Sequence, residues 1–331
     1  MKALYLSLLL QVIGLEKALG TTVDKILFIP SYGPGYWSDS TRKGLDEALQ
    51  DTNIKVETYK FKYYPSRGEF SRFVEQMRKD LESHLLSMRP KAIVVGDDEA
   101  ANFVLKEIKW HGPLFFTGLN QSKDNLKSMV LQRKNITGIF ENYPLNESVE
   151  LLKDLSKKTN LTIDILTSKT KSSEFIVQRV HFFFKSRDDI RLGKTYMISE
   201  WGGWEKAVAS SNSNADALWI LSPWSVKSSL NKIMDKAAMG NWLSDNVEIP
   251  SLSFVDLNFL QGAMASISVN PLTLGQEVGA LVYQHLVQGV PVSEIGARTV
   301  NRGNIMINLK ATDRIGIEVP IEILEYATVV E

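Results

Sequence analysis

The sequence lacks cysteine altogether, since none of its 331 residues is a cysteine. This absence excludes disulfide bonds, thiolate zinc sites, a cysteine nucleophile and lipid anchors attached through cysteine. Taken alone, it does not indicate the compartment in which the protein works.

An excess of charge of either sign is also missing. The chain has 38 Lys and Arg residues against 38 Asp and Glu residues, which gives a formal net charge of zero. Because a nucleic-acid-binding protein needs a basic surface to neutralise phosphates, we expect no nucleic acid as a partner. The length is about twice that of a typical domain, which predicts two domains or two lobes.

Motifs for catalysis and cofactor binding are missing as well. No strand is followed by a Walker loop or a Gly-x-Gly-x-x-Gly fingerprint, and there is no Gly-x-Ser-x-Gly elbow. The histidines are scattered, without the spacing of a metal site: His84, His111, His181 and His285. We therefore expect a protein that is not an enzyme and that uses neither a cofactor nor a metal.

The first 20 residues have the features of a signal peptide. Lys2 precedes an apolar stretch over residues 3–15, and the small residues Ala18 and Gly20 offer a cleavage site. The stretch is too short to span a bilayer, and the alternative is an amphipathic first helix of a cytosolic domain. Because residues 23–30 are typical of the first strand of a domain, we expect export, a soluble mature protein and no lipid anchor.

Short apolar stretches alternate with helical patterns along most of the chain, first over residues 25–140 and again over residues 145–254. This alternation predicts an α/β protein with two doubly wound parallel-sheet lobes. A strand at 262–269, a helix at 271–288 and a strand at 304–308 then break the simple order. These last elements predict hinge strands that cross between the lobes, with a ligand cleft between them.

The predicted lobe boundaries follow from this reading. The first lobe comprises residues 24–140 plus about 261–290, and the second comprises residues 141–260 plus about 291–331. In each lobe we expect the strand order 2-1-3-4-5, in which ligands bind beyond the carboxyl ends of the strands.

This rule selects the candidate ligand-binding residues. Aromatic faces hold planar ligands, a helix N-terminus receives a carboxylate, and a carboxylate pairs with an ammonium group. The structural alternative is that the aromatic side chains pack on their own loops and that the aspartates cap a helix. For the first helix, we expect Ser38 or Asp39 as the N-cap. The rule disfavours the segment 200–204, which follows the second strand of its lobe. The candidates are Tyr36, Trp37, Asp97, Asp98, Asn120, Ser168, Trp224 and Asp256.

Four segments carry a resemblance to a known family: residues 135–139 (NITGI), 262–275 (GAMASISVNPLTLG), 287–291 (VQGVP) and 307–320 (INLKATDRIGIEVP). Over about residues 24–328 the chain resembles ABC-transporter substrate-binding proteins of the type I periplasmic-binding fold, in the family that includes tryptophan- and tyrosine-binding members. The C-terminal segments are the most specific. The first loop, residues 32–37 (YGPGYW), departs from the family pattern, so the identity of the ligand does not transfer.

The resemblance implies a monomeric periplasmic protein that captures a small ligand between hinged lobes and delivers it to an ABC permease. An amino acid or a small aromatic zwitterion is the expected ligand, and a sugar is the alternative. A second hypothesis is a periplasmic ligand-sensing subunit that feeds a membrane signalling receptor. A third is an enzyme on the same scaffold, for which the sequence offers no catalytic set.

Overall fold

The computed structural model describes residues 23–64, 72–119, 133–223, 225–254, 262–300 and 303–330. The expected signal peptide and three candidate ligand-binding residues, Asn120, Trp224 and Asp256, lie outside the described residues. None of the described helices is long and apolar enough to cross a membrane.

Strands and helices alternate along most of the described chain. The strands are β1 (Asp24–Pro30), β2 (Ile54–Thr58), β3 (Ala92–Gly96), β4 (Leu114–Leu119), β5 (Ile136–Glu141), β6 (Leu161–Thr167), β7 (Ile190–Met197), β8 (Ala217–Ser222), β9 (Ser251–Ser253), β10 (Ala265–Val269), β11 (Arg298–Val300), β12 (Gly303–Asn308) and β13 (Thr328–Val330). The helices are α1 (Tyr36–Leu49), α2 (Val74–Met88), α3 (Asp97–Glu107), α4 (Leu145–Ser156), α5 (Lys171–Phe184), α6 (Trp201–Asn214), α7 (Lys236–Asn246), α8 (Pro271–Leu286), α9 (Leu309–Arg314) and α10 (Ile321–Leu324). The chain divides into two compact units, with boundaries after Glu141, Asn270 and Val300.

The first unit is built on a parallel sheet with the strand order β11-β5-β4-β3-β1-β2. Its central strands are apolar on both faces, as expected for a parallel sheet covered by helices. Leu27, Ile93 and Phe116 lie in the core on one side, at 1% exposure or less. The order of β2, β1, β3, β4 and β5 is the predicted 2-1-3-4-5, which confirms the doubly wound fold.

Helix α8 returns to the first unit and packs very closely on α1. A Cβ atom on Gly44 would lie 2.0 Å from the backbone oxygen of Leu272, and one on Gly275 would lie 2.1 Å from that of Thr41. Glycine at both positions therefore lets the two helix backbones approach each other. The hydroxyl of Thr117 in β4 also donates to the carbonyl of Leu274, at 3.1 Å.

The second unit repeats the arrangement and extends it. Its sheet has the order β13-β12-β10-β9-β8-β6-β7, in which β10 and β12 are antiparallel and the other pairs are parallel. Trp219 is fully buried and packs edge-on against Phe254, with ring centroids 4.9 Å apart. The strand order β7-β6-β8-β9-β10 has the predicted 2-1-3-4-5 form, although the sequence predicts its fifth strand, β10, in the first lobe.

The lobe boundaries in the C-terminal part differ from the expected ones. Strand β10 pairs with β9 and β12, so residues 262–270 belong to the second unit rather than to the first. Strand β11 pairs with β5, so residues 291–300 belong to the first unit rather than to the second. Pairing across the sheet, which the sequence does not reveal, decides both assignments.

The sequence pattern of residues 226–239 predicts a helix there, but in the structure no helix forms before Lys236. Lys227 and Ile233 form an antiparallel bridge around a turn in which Asn231 has a φ of 58°, so this part is a hairpin. Helix α7 begins only at Lys236, because the side chain of Asp235 accepts the backbone N–H of Ala238 at 2.9 Å and caps the helix.

Candidate ligand-binding site

Two of the predicted residues, Trp37 and Asp97, meet at the carboxyl edge of the first sheet. The indole Nε1 of Trp37 donates to both carboxylate oxygens of Asp97, at 3.0 and 3.1 Å. Trp37 is half-buried, whereas Asp97 is only 7% exposed. The structure therefore joins residues that are 60 positions apart in the sequence.

The backbone of Asp97 has an unusual conformation, which places its side chain beside Trp37. Helix α3 follows β3 without a loop, and Asp97 is its first residue with a φ of 64°, in the left-handed region that a non-glycine residue rarely adopts. Gly96, which has no side chain, occupies the N-cap position, so Asp97 is not the N-cap. Gly118, with a φ of 72°, leaves the room for the Asp97 carboxylate, since a Cβ there would lie 3.0 Å from Asp97 Oδ1.

Helix α1 places Trp37 by the geometry of its first turn. Gly35 is the N-cap, and the Asp39 carboxylate accepts the backbone N–H of Gly35 at 3.0 Å. The expectation of Ser38 or Asp39 as the N-cap is therefore wrong, because the helix begins at Tyr36. Asp39 instead closes the first turn from within the helix, in the manner of a capping box.

Burial and acidic neighbours raise the pKa of Asp97 well above its ordinary value. Loss of water contact is the largest cause, and the charge of Glu141 at the end of β5 is the second. The hydrogen bond from Trp37 acts in the opposite direction, and Glu99 and Asp98 raise the pKa further. Asp97 is thus a carboxyl group that a nearby positive charge would stabilise in its ionised form.

Tyr36 and Asp98 lie at the starts of α1 and α3, beside the pair just described. Tyr36 is the first residue of α1 and is 44% exposed, and Asp98 is the second residue of α3 and is half-buried. Their positions agree with the strand-end rule. Their contact with a ligand stays a prediction.

Ser168 occupies in the second unit the place that Ser31 has in the first. Each serine follows the first strand of its sheet and donates its backbone N–H to the last carbonyl of the third strand, Ser31 to Gly96 at 3.0 Å and Ser168 to Ser222 at 2.7 Å. Ser168 is fully buried, and its hydroxyl has no hydrogen-bond partner among the described residues. Its role as a ligand contact also stays a prediction.

Sequence reasoning missed Ser31 and Glu141. The Ser31 hydroxyl donates to the carbonyl of Gly96 at 2.7 Å and accepts the N–H of Ala100 at 2.8 Å, which ties the end of β1 to the first turn of α3. Both missed residues stand at strand ends, so the rule that selected Asp97 could have selected them too. The disfavoured Trp204 is indeed structural, since it is fully buried and donates its indole N–H to the carbonyl of Ile198.

Among the described residues, no group of three or more His, Asp or Glu side chains could hold a metal ion. What the first unit does offer at this edge is the buried carboxyl groups of Asp97 and Glu141, an indole that orients Asp97 and a partly exposed tyrosine.

Comparison with known proteins decides the family. The family model for ABC transporter substrate-binding proteins matches residues 34–331. The chain belongs to this family. Substrate-binding proteins of ABC transporters work outside the cytoplasm, where they bind small ligands and pass them to an ABC permease.

Related substrate-binding proteins show what the chain is similar to. A tyrosine-binding protein from Clostridioides difficile (strain R20291) is 24% identical over 288 residues, which are 83% of this chain and 77% of that protein. The structure of an ABC domain from Streptococcus pneumonia in complex with L-Trp superposes with a TM-score of 0.65 at 20% identity and covers 93% of this chain and 100% of that one. A ligand-free, open substrate-binding protein with adhesive properties from Clostridium difficile reaches a TM-score of 0.70 at 17% identity and covers 93% and 99%. These likenesses establish the type I periplasmic-binding fold.

Proposed function

We propose that this substrate-binding protein takes an amino acid with an aromatic side chain as its ligand. The observation that carries the proposal is the buried Asp97 carboxylate, held by Trp37 at the carboxyl edge of the first sheet. Ligands of open α/β sheets bind at this edge. A solute that brings a positive charge to Asp97 offsets the cost of keeping that carboxylate ionised away from water.

The two ends of an aromatic amino acid suit the groups on this edge. Its ammonium group can form a charge-assisted hydrogen bond with Asp97. Its ring can pack on the aromatic side chains of the first loop and first turn, where Tyr32 and Tyr36 are 39% and 44% exposed. The tyrosine and L-Trp named for two relatives belong to the same ligand class, which supports the proposal without deciding it.

The cellular setting is part of the proposal. The signal-peptide pattern of residues 1–20 supports export, and the absence of cysteine supports a periplasmic protein that diffuses without a lipid anchor. We expect the mature protein to be a monomer, to close about its hinges on the ligand and to bind no nucleic acid. The chain passes between its two units after Glu141, Asn270 and Val300, as hinge segments would require.

A thermal-shift panel tests the proposal. The mature protein is heated with each of the common amino acids, with a set of sugars and with a set of nucleosides, and the melting temperature is recorded. A ligand that binds only the native state raises this temperature by mass action. We expect the largest rises with tyrosine, tryptophan or phenylalanine. A rise with a sugar and none with any amino acid would overturn the proposal in favour of a sugar-binding protein.

A further inference from the structure

Trp37 offers Asp97 its N–H group in an arrangement that fixes the plane of the carboxylate. The single indole proton is shared between Oδ1 at 3.0 Å and Oδ2 at 3.1 Å. Sharing of this kind requires both oxygens to face the indole edge symmetrically. Rotation of the carboxylate about its terminal bond would lengthen one of the two contacts.

The backbone of Gly118 also lies beside the carboxylate. Oδ1 lies 3.0 Å from where a Cβ on Gly118 would stand, and the left-handed conformation of Asp97 sets the direction in which its side chain leaves the helix. Three elements, α1, α3 and β4, therefore determine one orientation for this group. The carboxylate is placed before any ligand arrives, which reduces the cost of binding.

Among the residues that the structure describes, the charged groups with the largest effect on the pKa of Asp97 are acidic. They are Glu141 on β5 and, on the same helix, Glu99 and Asp98. Among the described neighbours, the Trp37 indole is the group that favours the ionised form, since its hydrogen bond lowers the pKa that burial and these acids raise. Loss of that one N–H group would leave the carboxyl group more easily protonated.

We propose that Trp37 is a positioning residue that orients the Asp97 carboxylate for a primary ammonium group on the ligand and favours its ionised form. This inference rests on the proposed function and deepens it, because it assigns the two side chains separate tasks. Asp97 contacts the ligand, and Trp37 acts through Asp97 rather than as a stacking surface. It also selects the ligand class, since a neutral sugar has no ammonium group to benefit from the charge.

A coupling between ligand binding and protons follows. An ammonium group binds best to the ionised carboxylate. Those molecules in which Asp97 is protonated therefore release that proton when the ligand binds. Because the native pKa of Asp97 is raised, affinity increases with pH until the carboxyl group is fully ionised. Removal of the indole N–H moves this rise in affinity to higher pH.

Trp37→Phe and Trp110→Phe form a matched pair of variants for the test. Trp37→Phe keeps an aromatic ring but loses the N–H group. Trp110→Phe also loses an indole N–H group, which in the wild type donates to the carbonyl of Pro113 at 3.1 Å. Pro113 comes just before β4, so this hydrogen bond lies at the amino ends of the strands, away from Asp97. Circular dichroism and thermal unfolding of both variants establish that each is folded.

The first measurement needs no ligand. The carboxyl carbons of aspartate are labelled with ¹³C in the full chain, the Asp97 resonance is assigned as the one lost in Asp97→Asn, and its shift is followed from about pH 4 to about pH 9. We expect the midpoint to rise by about one pH unit in Trp37→Phe and to stay unchanged in Trp110→Phe. An unchanged Asp97 midpoint in a folded Trp37→Phe protein would overturn the inference.

The second measurement is calorimetry with L-tyrosine and L-tryptophan as probes, in buffers of different ionisation enthalpy. We expect proton release on binding, and an affinity near neutral pH that falls about tenfold in Trp37→Phe but is retained in Trp110→Phe. Equal affinity and equal pH dependence in the wild type and Trp37→Phe would overturn it. If neither probe binds although the resonance shifts as expected, the proposed ligand fails while the role of Trp37 in setting the charge of Asp97 stands.

Discussion

The carboxylate of Asp164 fills the space beside Gly193, where a Cβ atom would lie only 2.1 Å from Asp164 Oδ1. Asp164 lies in the middle of β6, is 2% exposed, and accepts the backbone N–H of Lys194 at 2.6 Å and the hydroxyl of Ser211 at 2.8 Å. The register between β6 and β7 shifts at this point. Asp164 therefore joins β6, β7 and α6 in the second unit.

We expect Gly193→Ala to destabilise the second unit. The new methyl group would push the Asp164 carboxylate away from its two donors inside the protein, which costs about 2–4 kcal/mol in the free energy of unfolding. Urea denaturation followed by circular dichroism measures the change. A loss below about 0.5 kcal/mol would contradict the claim that the Asp164 carboxylate needs the space beside Gly193.

A second expected loss concerns the contact between α1 and α8. In Gly275→Ala the new Cβ would lie 2.1 Å from the backbone oxygen of Thr41, an atom that cannot move aside without moving a helix. We expect a loss of about 3 kcal/mol in the free energy of unfolding. The matched control is Gly202→Ala in α6, where a Cβ meets nothing within 4 Å. There the better helix propensity of alanine should stabilise the protein by up to about 1 kcal/mol, so the two variants should differ in sign.

The third expectation concerns the dependence of stability on pH. The carboxylate of Asp189 accepts Arg187 Nε at 2.7 Å and also accepts Lys153 Nζ, and these hydrogen bonds hold its pKa well below the usual range. A lowered native pKa gives stability that is present above the unfolded value of about 4 and is lost as the pH falls below it.

Asp189→Asn should therefore lower the free energy of unfolding at neutral pH, and the difference from the wild type should shrink below about pH 4. Because the group is partly exposed, we expect a difference of about 1 kcal/mol or less, reduced further by salt. Denaturation series at neutral and acidic pH measure it. A difference that grows on acidification would contradict the assignment.

Asp97→Asn tests the residue that the proposed function depends on most. The amide keeps the size of the side chain and an acceptor for the Trp37 indole, but it cannot carry the negative charge that an ammonium group needs. We expect the affinity for the amino acid to fall by about 10- to 100-fold near neutral pH and to lose its dependence on pH. Retained affinity with an unchanged pH profile would show that Asp97 does not contact the ligand.

Much of the fold could be predicted because its strands are short apolar stretches with clear ends. The apolar stretches at residues 161–167 and 217–222 predict two strands, and β6 and β8 have these bounds in the structure. Residues 226–239 show the limit, because a run of helix-forming residues there is interrupted by a turn at Asn231 and a cap at Asp235. The residue types of this segment do not show whether a continuous helix forms or whether the turn and the cap interrupt it.

The sequence predicts at which edge of the sheet the candidate site lies, but not how its residues contact each other. The strand-end rule placed Trp37 and Asp97 on the same edge, but not in contact, because their hydrogen bond depends on the start of α1 at Tyr36 and on the left-handed φ of Asp97. Neither property is visible in a pattern of residue types. The same holds for Glu141, whose effect on Asp97 arises from β5 lying next to β4 in the sheet.

Titration calorimetry of the mature protein with L-tyrosine, L-tryptophan and a matched set of sugars tests the central claim most directly. We expect one molecule of an aromatic amino acid to bind per chain, with no heat of binding from the sugars. Binding of a sugar, together with the absence of binding by either amino acid over the full pH range, would contradict the assignment of an amino acid as the ligand.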